Sequence, residues 1–317
     1  METIESRRIK FGVLLSLQIP SIACYLGLIY HITSNRVTLR ALHNHAPLVL
    51  LFVGLITVIV DLSMILNFLR TGIVNPSTDV YCRIWNFIDL LLYALVSILM
   101  LWTSVERHIL IFHHHQLLNT ERKCFFGHYF PYCVIFGYLI LFYTYIAFIH
   151  SCENHFDYYQ VVCAGLCFVY DPPALGVFDQ FAHTVIPSIL IVILNLGLWF
   201  RVLWQKHHRM RRTMEWRQHR KMILQFLPVS ILYSCGYLPF GFVQCYQAIN
   251  GPTNLSLAIQ QLYFFYLFYL IGTLHPFACL IGMPEIYWKW FCRRNPRVIP
   301  TCIQQKHKRN KVAATAM

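Results

Sequence analysis

The sequence predicts an all-α membrane protein, a bundle of seven transmembrane helices followed by a short amphipathic eighth. Three observations carry this. Of 317 residues, 57% are hydrophobic and only 12% charged, and the mean hydropathy is +0.51, whereas a soluble domain carries about 25% charged residues. Seven segments, about 11–33, 46–69, 80–105, 129–150, 180–204, 222–246 and 258–283, are long and apolar enough to cross a hydrocarbon core of about 30 Å. The charges crowd between these segments, and the basic ones do so asymmetrically. If the N-terminus is outside, 21 of the 26 Lys and Arg fall on the inner side, as the positive-inside rule requires.

The first span follows Arg7, Arg8 and Lys10, a start that also suits a cleaved signal peptide. The apolar run continues past any short signal core to Ile32, with Pro20 in its middle, so it reads as a span, and residues 1–10 as an extracellular N-terminus. The second span holds Asp61. The third carries Cys82 at one end, Asp89 within it and Glu106-Arg107-His108 at the other. Twenty-five residues separate Cys82 from Arg107, roughly 37 Å of helix, so the two face opposite sides of the membrane. The fifth span starts beside Asp179, and ionisable groups at such places are costly and point to function. The sixth contains Gly236 and Pro239, a combination that removes a backbone hydrogen bond and supplies a kink. The seventh contains Pro276. Spans and connections make one domain over 11–283, and 284–317 reads as the amphipathic helix plus a basic cytoplasmic tail.

The loops 151–178 and 247–257 contain no Lys or Arg, and the sequon at Asn254 falls in the second of them, on the side where glycosylation occurs. Of twelve cysteines, Cys82, Cys152, Cys163 and Cys167 lie on that same outer side, where disulfides persist. Cys82 is expected to pair with Cys163 or Cys167, and Cys152 with the one left over. Cys292, beside Phe291 and Arg293, is a lipidation candidate.

Taken together, these residues resemble the rhodopsin-like (class A) G protein-coupled receptors over roughly 11–295. Glu106-Arg107-His108 stands where the family has Asp-Arg-Tyr. Asp61 matches its second-helix aspartate, and Pro187 its fifth-helix proline. Cys235-Gly236-Tyr237-Leu238-Pro239 resembles Cys-Trp-x-Pro, and His275-Pro276 stands in place of Asn-Pro. The resemblance is to a divergent member of that family, since the sequence lacks the first-span asparagine and the fourth-span tryptophan. Val96 and His275 replace polar groups expected around Asp61, which argues against a sodium ion there.

The resemblance implies that Glu106, Arg107, His108, Asp61, Pro239, His275 and Pro276 form the switch and coupling machinery, with Glu106 as counter-charge to Arg107 in the off state. It also makes Asp89 a ligand contact, at the position where amine receptors hold an ammonium group. Tyr269 stands beside it, and Tyr237 and Phe240 are further contacts. Glu153, Asp157, Asp171 and Asp179, without a basic residue among them, predict a mouth that attracts cations. The expected ligand is an amine or a basic peptide, and the expected partners are a heterotrimeric G protein and the lipid bilayer. No nucleic acid, cofactor, metal or catalytic residue is implied. Two other classes compete. A transporter or channel would show an internal repeat between halves, and none is visible. A di-iron membrane oxidoreductase needs spaced histidine boxes, and only His108 with His113-His114 approaches one.

Overall fold

The computed structural model describes residues 3–112, 122, 125–169, 171, 173–208, 213–251 and 253–283. Among them are seven helices long and apolar enough to span a membrane: α1 (Ile4–Ser34), α2 (Leu42–Thr71), α3 (Asp79–Leu110), α4 (Phe125–Ile149), α5 (Ala174–Arg201), α6 (Phe226–Gln247) and α7 (Leu262–Gly282). No strand occurs among the described residues. The proposed eighth helix and Cys292 lie outside them. Helix α1 starts well before the apolar run, because the Thr3 hydroxyl caps it by accepting from the Ser6 amide. Most of the predicted N-terminal segment is therefore helix.

The interior is lined by Tyr25, Leu28, Leu50, Leu62, Trp85, Leu99 and Met100. Outward positions carry large apolar side chains such as Ile19 and Leu141, which are 68% and 72% exposed. A surface of that kind is stable only against lipid. This is a multi-pass membrane protein.

Two local devices decide where functional side chains point. The first is the π-helical turn, an extra residue inserted into the helix that rotates whatever follows it. Such turns occur in α2 at Thr57–Asp61, in α5 at Phe181–Val185 and across the start of α7 at Gln260–Phe264. In α2, Gln18 of α1 donates to the Val58 carbonyl inside the turn at 2.8 Å. The second device is proline. Pro276 has no N–H for the carbonyl one turn earlier, that of Gly272, and the Tyr25 hydroxyl supplies the missing donor at 2.8 Å. Tyr25 Oη also meets His275 Nδ1 at 3.1 Å. The ring of Tyr25 lies across Gly54, where an added Cβ would stand 2.9 Å from Cζ. Gly54→Ala should therefore displace a hydrogen-bonded ring and cost about 1–3 kcal/mol, read as lost thermal stability of the purified protein. A stability equal to wild type would show that Tyr25 is free to yield.

At the end carrying Cys82, the α4–α5 loop is stapled twice. Cys82 pairs with Cys163 and Cys152 with Cys167. Asn86, one turn after Cys82 in α3, donates to both the Cys82 and Val162 carbonyls, at 2.8 and 2.9 Å. These ties hold Val162, Cys163 and Ala164 at φ of 52°, 53° and 70°, a left-handed region costly for a β-branched residue such as Val162.

Candidate functional site

Polar clusters interrupt the apolar interior toward both ends of α3. The one nearer Cys82 joins α2, α3 and α7. Tyr269 Oη lies 2.9 Å from Asp61 Oδ2 and 2.7 Å from Asp89 Oδ1, and Trp85 Nε1 donates to Asp61 Oδ1 at 3.3 Å. Asp61 is 2% exposed and Tyr269 5%. A phenol has one proton to give, so Tyr269 can donate to only one of the two carboxyl groups at a time, and the side chains of Asp61 and Asp89 also hydrogen-bond to each other. One turn below Asp89, Tyr93 stacks on Tyr237 at 5.2 Å between centroids and meets Phe240 and Phe268 edge-on. The predicted ligand residues thus divide into Asp89 with Tyr269, joined there by Asp61, and Tyr237 with Phe240 around Tyr93. A void of about 10 Å³, room for roughly one water, lies between α3, α5 and α6, lined by Ser97, Ser188, Tyr233 and Tyr237 among others. It is far below the ~300 Å³ at which drug-sized sites begin.

This geometry corrects the reading of Asp61. The aspartate is not beside Val96 and His275. It lies two helical turns further out, in the layer of Trp85, Asp89 and Tyr269, and the α2 residue that faces His275, through Tyr25, is Gly54. His275 is 1% exposed and uses its other nitrogen on Cys279 Sγ at 3.3 Å. Asp179 is a second correction. It does not serve the mouth but is 4% exposed and bound inward, at 2.6 Å by the Tyr143 hydroxyl and at 2.7 Å by His183 Nδ1. The π-helical turn in α5 aims His183 at this carboxylate. Asp157 is also spent locally, accepting from Tyr159 N and Gln160 Nε2 at 2.9 Å each.

The inner cluster surrounds the foot of α3. Arg107, 3% exposed, places its guanidinium carbon 4.1 Å from the centroid of Phe226 on α6, a cation–π contact worth about 0.5–2 kcal/mol. Glu106 was expected to answer Arg107 alone. The structure adds two partners from α4: Tyr132 donates to Oε2 at 3.0 Å, and His128 Nδ1 binds Oε1. His128 Nε2 in turn meets His45 Nδ1 at 2.8 Å, and His45 Nε2 donates to the Leu39 carbonyl at 2.7 Å. His108 ties the same foot to α5 by donating to the Leu194 carbonyl at 2.8 Å. Thus α3 is joined to α2, α4, α5 and α6 within one turn. On α6, Gly236 lets Ile271 of α7 approach where a side chain would block it, close to the break that Pro239 makes in the helix ladder. His113, His114 and His115 lie outside the described residues.

The sequence reading missed His45, His128, Tyr132, Tyr25 and Trp85. Each is an ordinary core residue in composition and becomes informative only beside its partner. An unusual histidine count was the one available signal.

The family model for the seven-transmembrane receptors of the rhodopsin family matches residues 27–278. The chain belongs to that family. The match runs through five whole helices, α2 to α6, and parts of α1 and α7, and includes both clusters. No curated protein matches the chain significantly, so the assignment brings no individual relative with it. The family consists of receptors rather than enzymes.

Proposed function

We propose that this is a plasma-membrane receptor, with its N-terminus outside, that converts binding of an extracellular amine or basic peptide into guanine nucleotide exchange on a heterotrimeric G protein. The observation that carries the reading is Arg107. A permanent cation is buried at the foot of α3 against Phe226 of α6, at the opposite end of the helix from the Cys82–Cys163 staple. Outward movement of α6 takes away that ring and frees the guanidinium for a partner. Glu106 and His108 brace the foot of α3, and Pro239, His275 and Pro276 give α6 and α7 the breaks such a movement needs.

On the ligand side, Asp89 and Tyr269 provide the contact for a cation, Asp61 adds a second carboxylate, and Tyr237 and Phe240 contribute aromatic surface. Asn254, the first residue of the helix Asn254–Ile259, is the proposed glycan acceptor. Cys292 is the proposed lipid attachment site, followed by the basic tail.

Exchange measured on a panel of G proteins, with wild type and Arg107→Ala, first without ligand and then with amines and basic peptides, tests the coupling. Exchange dependent on Arg107 supports it, and equal exchange by Arg107→Ala removes it. For any cationic agonist so found, Asp89→Asn should lower potency at least ~100-fold, since a desolvated charge pair contributes about 3 kcal/mol or more, while surface expression stays near normal. Unchanged potency would exclude Asp89 as the contact.

A further inference from the structure

The two histidines behind Glu106 form a chain in which every ring nitrogen is used. His45 Nε2 faces the Leu39 carbonyl, His45 Nδ1 faces His128 Nε2, and His128 Nδ1 faces Glu106 Oε1. Each contact needs one proton. A carbonyl has none to give, so His45 Nε2 must carry one, and the two remaining contacts require one each. Two neutral imidazoles supply only two protons. All three hydrogen bonds therefore exist together only when the group holds a third, giving an imidazolium against the Glu106 carboxylate or a protonated Glu106 against a neutral ring.

The other buried histidine pairing behaves differently. His183 donates from Nδ1 to Asp179 and can accept from Tyr138 Oη at Nε2, at 2.7 and 3.0 Å, so a neutral ring satisfies both contacts.

We infer that His128, backed by His45, is a positioning residue for Glu106, and that it acts only while this relay holds its extra proton. Among the described residues, the groups facing the pair are Glu106 from α3, Tyr129 and Tyr132 from α4, and the Leu39 carbonyl from the helix Arg36–Arg40, while Arg107, next to Glu106 in α3, packs on the uncharged Phe226 of α6. With the proton bound, Glu106 is neutralised from α4 and its hold on the adjacent Arg107 is weak. Without it, two lone pairs face each other, one hydrogen bond is lost, and the negative charge of Glu106 falls to Arg107. His128 is 1% exposed and Glu106 2%, whereas His45 is only partly buried. The proton therefore enters through His45, on the side of the bundle where Arg107 lies.

The consequence for coupling rests on the role proposed above for Arg107, whereas the positioning does not. Thermal stability of the purified receptor in lipid nanodiscs, followed between about pH 5.5 and 8.5 where imidazoles titrate, tests the relay directly. Wild-type Tm should fall by ~3 °C or more as pH rises. His128→Gln keeps an N–H for Glu106 but has no titrating proton, and should flatten the profile. So should His45→Gln, whose amide can donate to both Leu39 and His128 and so lets His128 stay neutral. His45→Gln, at the rim of the relay, also serves if His128→Gln does not fold. Nucleotide exchange, corrected for the G protein alone, should decline with pH in wild type and not in the variants. Parallel stability profiles in wild type and variants would overturn the relay whatever exchange does. A slope abolished by the variants, with no exchange at any pH, would uphold the positioning and remove the coupling role.

Discussion

Replacing Cys82 or Cys163 by serine will strip most of the receptor from the cell surface, while replacing Cys152 or Cys167 will reduce it far less. The two staples differ in what they close. Cys82 and Cys163 are 81 residues apart in sequence, Cys152 and Cys167 only 15. On the chain-entropy account the longer link contributes about 4–5 kcal/mol and the shorter about 3. The longer one also holds a strained segment: Val162, Cys163 and Ala164 keep positive φ because the sulfur bond and Asn86 pin both sides of it. Without the bond, that segment relaxes and the loop leaves the top of α3. Quantitative surface immunodetection decides the matter. The double variant Cys82→Ser/Cys163→Ser should match the single ones, which separates loss of the link from damage by a stray thiol. Equal surface levels for all four single variants would show that neither staple dominates.

Tyr269→Phe is the second large effect. It deletes the one hydroxyl that stands between Asp61 and Asp89, leaving two carboxyl groups face to face in a site where Asp61 is 2% exposed. A buried charged acceptor stripped of its donor costs about 3 kcal/mol, and mutual repulsion adds to it. The loss should be visible as a lower melting temperature without any ligand. Adding Asp61→Asn should restore more than half of it, because an amide repels Asp89 less and can donate to it. A stable Tyr269→Phe single variant, or a double variant worse than the single, would mean that Trp85 and the contact between the two carboxyl groups hold the site without the phenol.

Much of the architecture was legible because lipid imposes simple demands. A segment that crosses it must be long, apolar and internally hydrogen-bonded, so seven hydropathy maxima lead to seven helices without reference to packing. The Cys82-to-Arg107 spacing likewise follows from helix rise alone. The α1 start was misplaced because a Thr3 cap and a few polar residues extend a helix beyond its apolar part, and hydropathy is blind to caps.

The candidate sites were legible only in part, and the failures share a cause. Asp61 was assigned to the layer of Val96 and His275, yet it lies in the layer of Asp89, with Gly54 facing His275 through Tyr25 instead. Asp179 was assigned to the mouth, yet the π-helical turn in α5 brings His183 round to bind it inside. Glu106 was given Arg107 as its answer, yet His128 and Tyr132 of α4 also bind it.

The sequence by itself determined the class of the protein, the number and approximate place of its spans, the set of cysteines gathered at the Cys82 end and the family to which it belongs, because each depends on composition or on distances along one helix. Only the tertiary structure decided that Cys82 pairs with Cys163, that Tyr269 bridges two aspartates, and that Glu106 leans on a pair of histidines. Those facts depend on rotation about helix axes and on approach between helices distant in sequence. A single π-helical turn, a proline or a glycine resets both, and no periodicity along the chain records the result.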